Sequence, residues 1–245
     1  MNPLTTATTT DEAERAATVA VLPVGSFEQH GEHLPLTTDT LVACAIARSL
    51  ADQYQLLLIS PITISCSHEH AGSSGTVSIS SDTLSRMIRD IAADLQQSGI
   101  DQLIIVNGHG GNYVLANIVQ ESNVQGPRMA LYPGREDWAR ARTAASLESS
   151  AHDDMHAGEI ETSLLLHLWP EQVSESYKTA DHLADRPNLL IHGMTRYTRS
   201  GVIGLPSLAS SKKGEKVLAS LTADFALTLD ALKPTGGITA PPVNT

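Results

Sequence analysis

Four short apolar runs punctuate the chain, at Thr18 to Val24, Leu56 to Ser60, Leu103 to Val106 and Met129 to Tyr132. Each is too short for a helix and rich in aliphatic residues, the pattern of strands buried in a sheet. Between them apolar residues recur at three and four. A helix is expected from Asp39-Thr40 to about Gln53, with Leu41, Ala45, Ile46 and Leu50 on one face. A second, capped by Ser81 or Asp82, carries Leu84, Met87, Ile88, Ile91 and Leu95 and ends at Gly99. Shorter helices are expected over Tyr113 to Glu121 and Gly158 to Leu168, the latter stopped by Pro170, and a last one from about Lys213 to Leu232. Short strands alternating with helices predict βαβ units, an α/β fold on a mostly parallel sheet. The ends carry little to bury, so the expected organisation is a disordered tail over 1–17, one domain over 18–232 and a second disordered tail over 233–245.

In such sheets ligands bind beyond the carboxyl ends of the strands. Three polar clusters begin where expected strands end: Gly25 to His33, Ser65 to His70 and Asn107 to Asn112. The first holds Glu28, His30 and His33, with Asp39 eleven residues after Glu28. Carboxylate oxygen and imidazole nitrogen suit zinc, manganese and iron, and Asp39 has two oxygens with which to bridge two ions; a polar loop with a capping Asp39 has the same spacing. Around His109 three glycines allow a sharp turn close to a ligand. That turn lacks the Lys-Ser/Thr of a phosphate loop, and an incidental histidine in a tight turn is the plainer alternative. In the fourth cluster, His156 opens the Gly158 helix, where the helix dipole helps keep its ring neutral and ready to take a proton. Glu159 and Glu161 are two residues apart and cannot share a helical face, so one at most joins His156; Glu161, nearer Leu164-Leu165, is the first candidate. His68 and His70 would share one side of an extended segment, either lining a pocket or lying on a surface loop. His70, Gly110 and Asp153 are the expected substrate contacts.

Composition narrows the partners. A net charge of -11 with no Lys/Arg cluster opposes binding to nucleic-acid phosphates. No apolar run is long enough to span a membrane and the start lacks a signal-peptide pattern, so a cytoplasmic protein is expected. Two cysteines, Cys44 and Cys66, lie in apolar segments and are expected as buried free thiols.

Taken in order, Leu22-Pro23-Val24-Gly25-Ser26-Phe27-Glu28-Gln29-His30-Gly31-Glu32-His33-Leu34-Pro35-Leu36, Asp39, Asn107-Gly108-His109-Gly110-Gly111-Asn112 and His156-Ala157-Gly158-Glu159-Ile160-Glu161-Thr162-Ser163 resemble the motifs of the creatininase (creatinine amidohydrolase) family across about residues 18 to 232. The resemblance implies a three-layer α/β sandwich with a dinuclear centre of zinc, manganese or iron. Glu28 would bind one ion and His30 the other, with Asp39 bridging and His109 completing the first site. His156 matches the family's proton-shuttling histidine. It also implies a homo-oligomer, often a hexamer. Where creatininase has a further glutamate ligand, two residues after the histidine of the middle motif, this chain has Gly111; Glu161, and after it Glu159, are the candidate replacements. The glycine-rich form resembles relatives acting on other amides, such as a formamidopyrimidine-nucleotide deformylase and the peptidase that trims the mycofactocin precursor. The expected activity is metal-dependent hydrolysis of a non-peptide C–N bond in a small formamide or cyclic amide. The alternatives are a peptidase trimming a modified precursor and a non-catalytic metal-stabilised binding protein, which would have no use for His156.

Overall fold

The computed structural model describes residues 1–233. Four strands, β1 (Val19–Val24), β2 (Leu57–Leu58), β3 (Gln102–Asn107) and β4 (Met129–Tyr132), pair in parallel in the order β2-β1-β3-β4. The helices are α1 (Thr9–Arg15), α2 (Thr38–Tyr54), α3 (Ser81–Gln97), α4 (Val114–Ser122), α5 (Arg135–Ala145), α6 (Glu159–Leu168), α7 (Leu189–His192) and α8 (Ser211–Ala231). Strand side chains alternate between two cores. Val21, Ile104, Val106 and Tyr132 pack with α2, α5, α6 and α8, while Ala20, Leu22, Leu103, Ile105 and Met129 pack with α3 and α4. The parallel α/β sheet expected from the apolar runs is present, in the three-layer sandwich that the family resemblance implies: both sheet faces are covered, so the strands need no polar alternation.

The chain moves from β1 to β2 on one side, then returns to place β3 on β1's other side. Strand order therefore reverses between β1 and β3, the crevice where open parallel sheets bind ligands. The loops leaving these two strands carry Glu28 and His109.

Two helices depart from expectation. The segment 1–17 is not a loose tail: Thr8 and Asp11 form a reciprocal capping box that starts α1. The segment is tied to the domain by Trp169 Nε1 donating to the Met1 carbonyl at 2.7 Å and Arg48 Nη2 to that of Leu4 at 2.9 Å. Helix α5 is not among the helices expected from the sequence; its inward stripe is narrow, with Ala141 and Ala145 as its buried residues. Of the expected tail over 233–245, residues 234–245 lie outside the described residues. Among the described residues no helix is long and apolar enough to cross a membrane.

Candidate metal centre

Helix α2 begins against the exits of β1 and β3. A Cβ at Gly108 would collide with the Asp39 carbonyl, so glycine is what lets the β3 exit approach the first turn of α2. That approach places Asp39, 1% exposed, between the two loops. Asp39 Oδ2 lies 2.9 Å from His109 Nδ1, which is also 3.2 Å from Glu28 Oε1. Asp39 Oδ1 lies 3.0 Å from His30 Nε2, and Glu161 Oε1 stands 4.0 Å from the same nitrogen. Two donor sets result, Glu28–Asp39–His109 and His30–Asp39–Glu161, sharing the two oxygens of one carboxylate. A third grouping, Glu28–His30–His156, overlaps both.

Neighbouring groups orient these ligating atoms. His30 Nδ1 donates to the Glu28 carbonyl at 3.0 Å, leaving Nε2 toward Asp39. His109 Nε2 donates to the Cys66 carbonyl at 3.0 Å, leaving Nδ1 toward the carboxylates. Ser26 Oγ donates to Asp39 Oδ2 at 2.6 Å, and Glu161 Oε2 accepts from the Ala157 amide at 2.6 Å. The completely buried Glu28 carboxylate accepts no hydrogen bond at either oxygen. A buried carboxylate left so is costly unless a cation takes up its charge. With O and N donors of this kind around it, the cluster fits divalent transition-metal ions.

The electrostatics agree. Burial raises the Glu28 pKa, and Asp39 adds to the rise. Burial acts the same way on Asp39, yet His30 and His109 outweigh it and hold that carboxyl well below its ordinary range. Burial opposes the protonated form of His30, but Asp39, Glu161 and Glu28 prevail and raise it to about 9. His109 is raised likewise, against burial, by Asp39 and Glu28. Glu161 rises to about 8 through burial, only partly offset by His30. Left to themselves these carboxylates hold protons on their imidazoles; divalent ions would displace them.

His156 differs. Burial, then repulsion from His30 and His70, holds it well below the usual imidazole value, so it is neutral. Its Nε2 faces the Gln29 carbonyl at 2.6 Å and carries the hydrogen; its Nδ1, with the lone pair, lies 3.8 Å from Glu28 Oε1.

The structure therefore brings together Glu28, His30, Asp39, His109, His156 and Glu161, and adds His70, whose Nε2 is 3.2 Å from Glu28 Oε1. His68 is not beside it: residues His68–His70 form a 3₁₀ turn rather than an extended segment, which leaves His68 exposed and His70 buried. Glu159 turns to Lys213 at 2.5 Å and to Ser149. His33 faces the Ala157 carbonyl at 3.1 Å, away from the carboxylates. Asp153 closes a turn with Ser150, and its neighbour Asp154 borders the site instead. Gly110 does border it, along a cavity of about 580 Å³ that His109, Glu161, Trp138, Arg142 and Met155 also line. Gln29 and Ser26 were not singled out from the sequence, although both lie inside the first motif. At Gly111 a Cβ would strike the Glu69 carboxylate, which stands 3.4 Å from His109 Nε2. A glutamate could not be added there without displacing Glu69.

Comparison with known proteins relates most of the chain to one family. A family model described as creatininase, creatinine amidohydrolase, matches residues 4–229. A mycofactocin precursor peptide peptidase of Mycobacterium ulcerans is 34% identical over 217 residues, spanning 83% of this chain and 81% of that protein. A creatinine amidohydrolase of Pseudomonas putida is 27% identical over 230 residues, spanning 82% and 84%. A solved creatinine amidohydrolase (creatininase) superposes with a TM-score of 0.77 at 23% identity, covering 91% of this chain and 96% of the other.

Proposed function

This chain belongs to the creatininase family of metal-dependent hydrolases, and from that premise we propose that it cleaves an amide C–N bond near the end of a peptide, using two divalent ions held by Glu28, Asp39, His109, His30 and Glu161. The observation that carries the reading is Asp39, which has one oxygen 2.9 Å from His109 and the other 3.0 Å from His30 and belongs to both donor sets. Zinc, manganese and iron all accept these donors. Such ions supply a nucleophile from water at neutral pH and polarise the scissile carbonyl. The protein's own part is to orient and to move protons. Neutral His156 accepts a proton on Nδ1 and returns it to the departing nitrogen, and its Nε2–H bond to Gln29 fixes the ring for both transfers.

Two observations favour a peptide substrate. The relative named as a peptidase is 34% identical, against 27% for the creatinine amidohydrolase. A cavity of about 580 Å³, with Trp138, Met155 and Leu164 on its walls, also has room for side chains beyond the cleaved bond. The small formamide or cyclic amide expected from the motifs is the second reading, supported by the creatinine amidohydrolase relative. We assign the active form to a homo-oligomer, to be checked by light scattering.

The deciding experiment incubates metal-loaded protein with short peptides, formamides and cyclic amides and follows products by mass spectrometry. Shortened peptides are expected, and His156→Ala lowers their rate about 10²- to 10⁴-fold with metal content unchanged. Turnover of the small amides alone would establish the second reading, and turnover of neither would leave the binding-protein alternative.

A further inference from the structure

Gln29 lies between two buried imidazoles with its amide orientation set by backbone groups of fixed polarity. Oε1 accepts from the Gly31 amide at 3.0 Å, and Nε2 donates to the Gly201 carbonyl at 3.1 Å. Turning the amide over would set donor against donor and acceptor against acceptor. The same Nε2 is 3.0 Å from His70 Nδ1, so its second hydrogen goes there and Nδ1 is the lone-pair nitrogen. It is also 3.1 Å from His156 Nε2, but that nitrogen already carries a hydrogen bound to the Gln29 carbonyl and cannot accept. His70 Nε2 therefore bears a hydrogen. The ring is 1% exposed, 4.4 Å from His156 between centroids, and its Nε2 is 3.2 Å from a Glu28 oxygen that accepts no hydrogen bond. The N–H is thus held beside the candidate ligands and the proton shuttle without being committed to either.

We propose that Gln29 holds His70 as a hydrogen-bond donor instead of a metal ligand, and that His70 Nε2–H binds the substrate oxygen that gains negative charge as the amide is attacked. This rests on the hydrolytic reading above. A ligating nitrogen needs its lone pair, and the Gln29 amide turns that lone pair away from the carboxylates. No proton changes hands: the hydrogen bond strengthens as charge builds on the oxygen and relaxes when the C–N bond breaks. A donor fixed in this way before the reaction supports the transition state by about 10²- to 10³-fold in rate.

The test uses metal-loaded protein, His70→Ala and Gln29→Glu variants checked for folding by circular dichroism, and methylphosphonate as a tetrahedral anionic probe. Nitrogen-15 NMR of the wild type should show hydrogen on His70 Nε2, and His70→Ala should keep the wild-type metal content. In Gln29→Glu the carboxylate accepts from Nδ1–H and leaves Nε2 without hydrogen. Both variants should bind methylphosphonate about 10- to 100-fold more weakly. A lone pair on wild-type Nε2, or loss of metal in His70→Ala, would make His70 a ligand and overturn the proposal. So would unchanged methylphosphonate affinity, or no wild-type binding of the probe. Weakened probe binding in the variants, with no amide cleaved by the wild type, would sink the hydrolytic reading and leave the donor standing.

Discussion

Glu159 Oε1 meets Lys213 Nζ at 2.5 Å, whereas Glu161 Oε1 is 4.0 Å from His30 Nε2. Two residues along α6 therefore separate a structural carboxylate from a candidate ligand. Glu161→Gln is expected to lower bound metal from about two ions to about one per chain by elemental analysis, while Glu159→Gln leaves the content unchanged. The second variant should instead cost about 1.5–3 kcal/mol in denaturant unfolding at neutral pH, because the buried carboxylate loses its charge-assisted bonds to the half-buried Lys213 and to Ser149. Burial alone would raise the Glu159 pKa, but Lys213 and Ser149 prevail and lower it. Its contribution is then complete above the unfolded value of about 4.3 and is lost as pH falls through the folded one, so the variant and wild type should converge in acid. Equal stability at neutral pH would contradict the structural role. The candidate site of His30 and Glu161 has the opposite sensitivity. With His30 at about 9 and Glu161 at about 8, both carry protons at pH 7 in metal-stripped protein and must lose them to bind an ion. Calorimetric titration with zinc in buffers of different ionisation heat should show proton release, and affinity should climb from pH 6 to about 9. An affinity independent of pH over that span would speak against these ligands.

At the scale of elements, α6 is held in place by α8. A Cβ at Gly214 would strike the Ser163 carbonyl, a backbone atom that cannot swing aside. Replacing glycine by alanine within a helix ordinarily gains about 0.5–1 kcal/mol, whereas overpacking costs about 1–3. The collision should win, and Gly214→Ala is expected to lower Tm by about 2–8 °C. A rise in Tm would mean that the two helices separate freely. The strands and longer helices were legible in the sequence because their apolar residues repeat with one clear period. Helix α5 was not, since alanines and one half-buried tryptophan make too thin a stripe. The His68–His70 turn was misread for a related reason: three residues carry no period, and whether they coil or extend depends on the segment's neighbours.

For the whole molecule, thiol chemistry reports on how completely the layers close. Burial pushes the Cys44 thiol up to about 12 and raises that of Cys66 as well. Neither should react with a disulfide reagent at pH 8 in the native state, and both should react in denaturant. Fast native labelling would show that the sandwich opens more readily than its packing implies. The apolar periods determined the layered α/β architecture, because burial on two sheet faces is a property of residue order alone. The separated motifs likewise singled out Glu28, His30, Asp39, His109 and His156 before their positions were known, and left Glu161, ahead of Glu159, as a further candidate. Tertiary structure decided the rest: that Glu161 and not Glu159 turns inward, that His70 enters while His68 stays out, and that Glu69 fills the space beside Gly111. Those outcomes depend on distances between elements far apart in the chain, such as α6 and α8 or the exits of β1 and β3. Local residue order sets no such distance; only packing the layers together does.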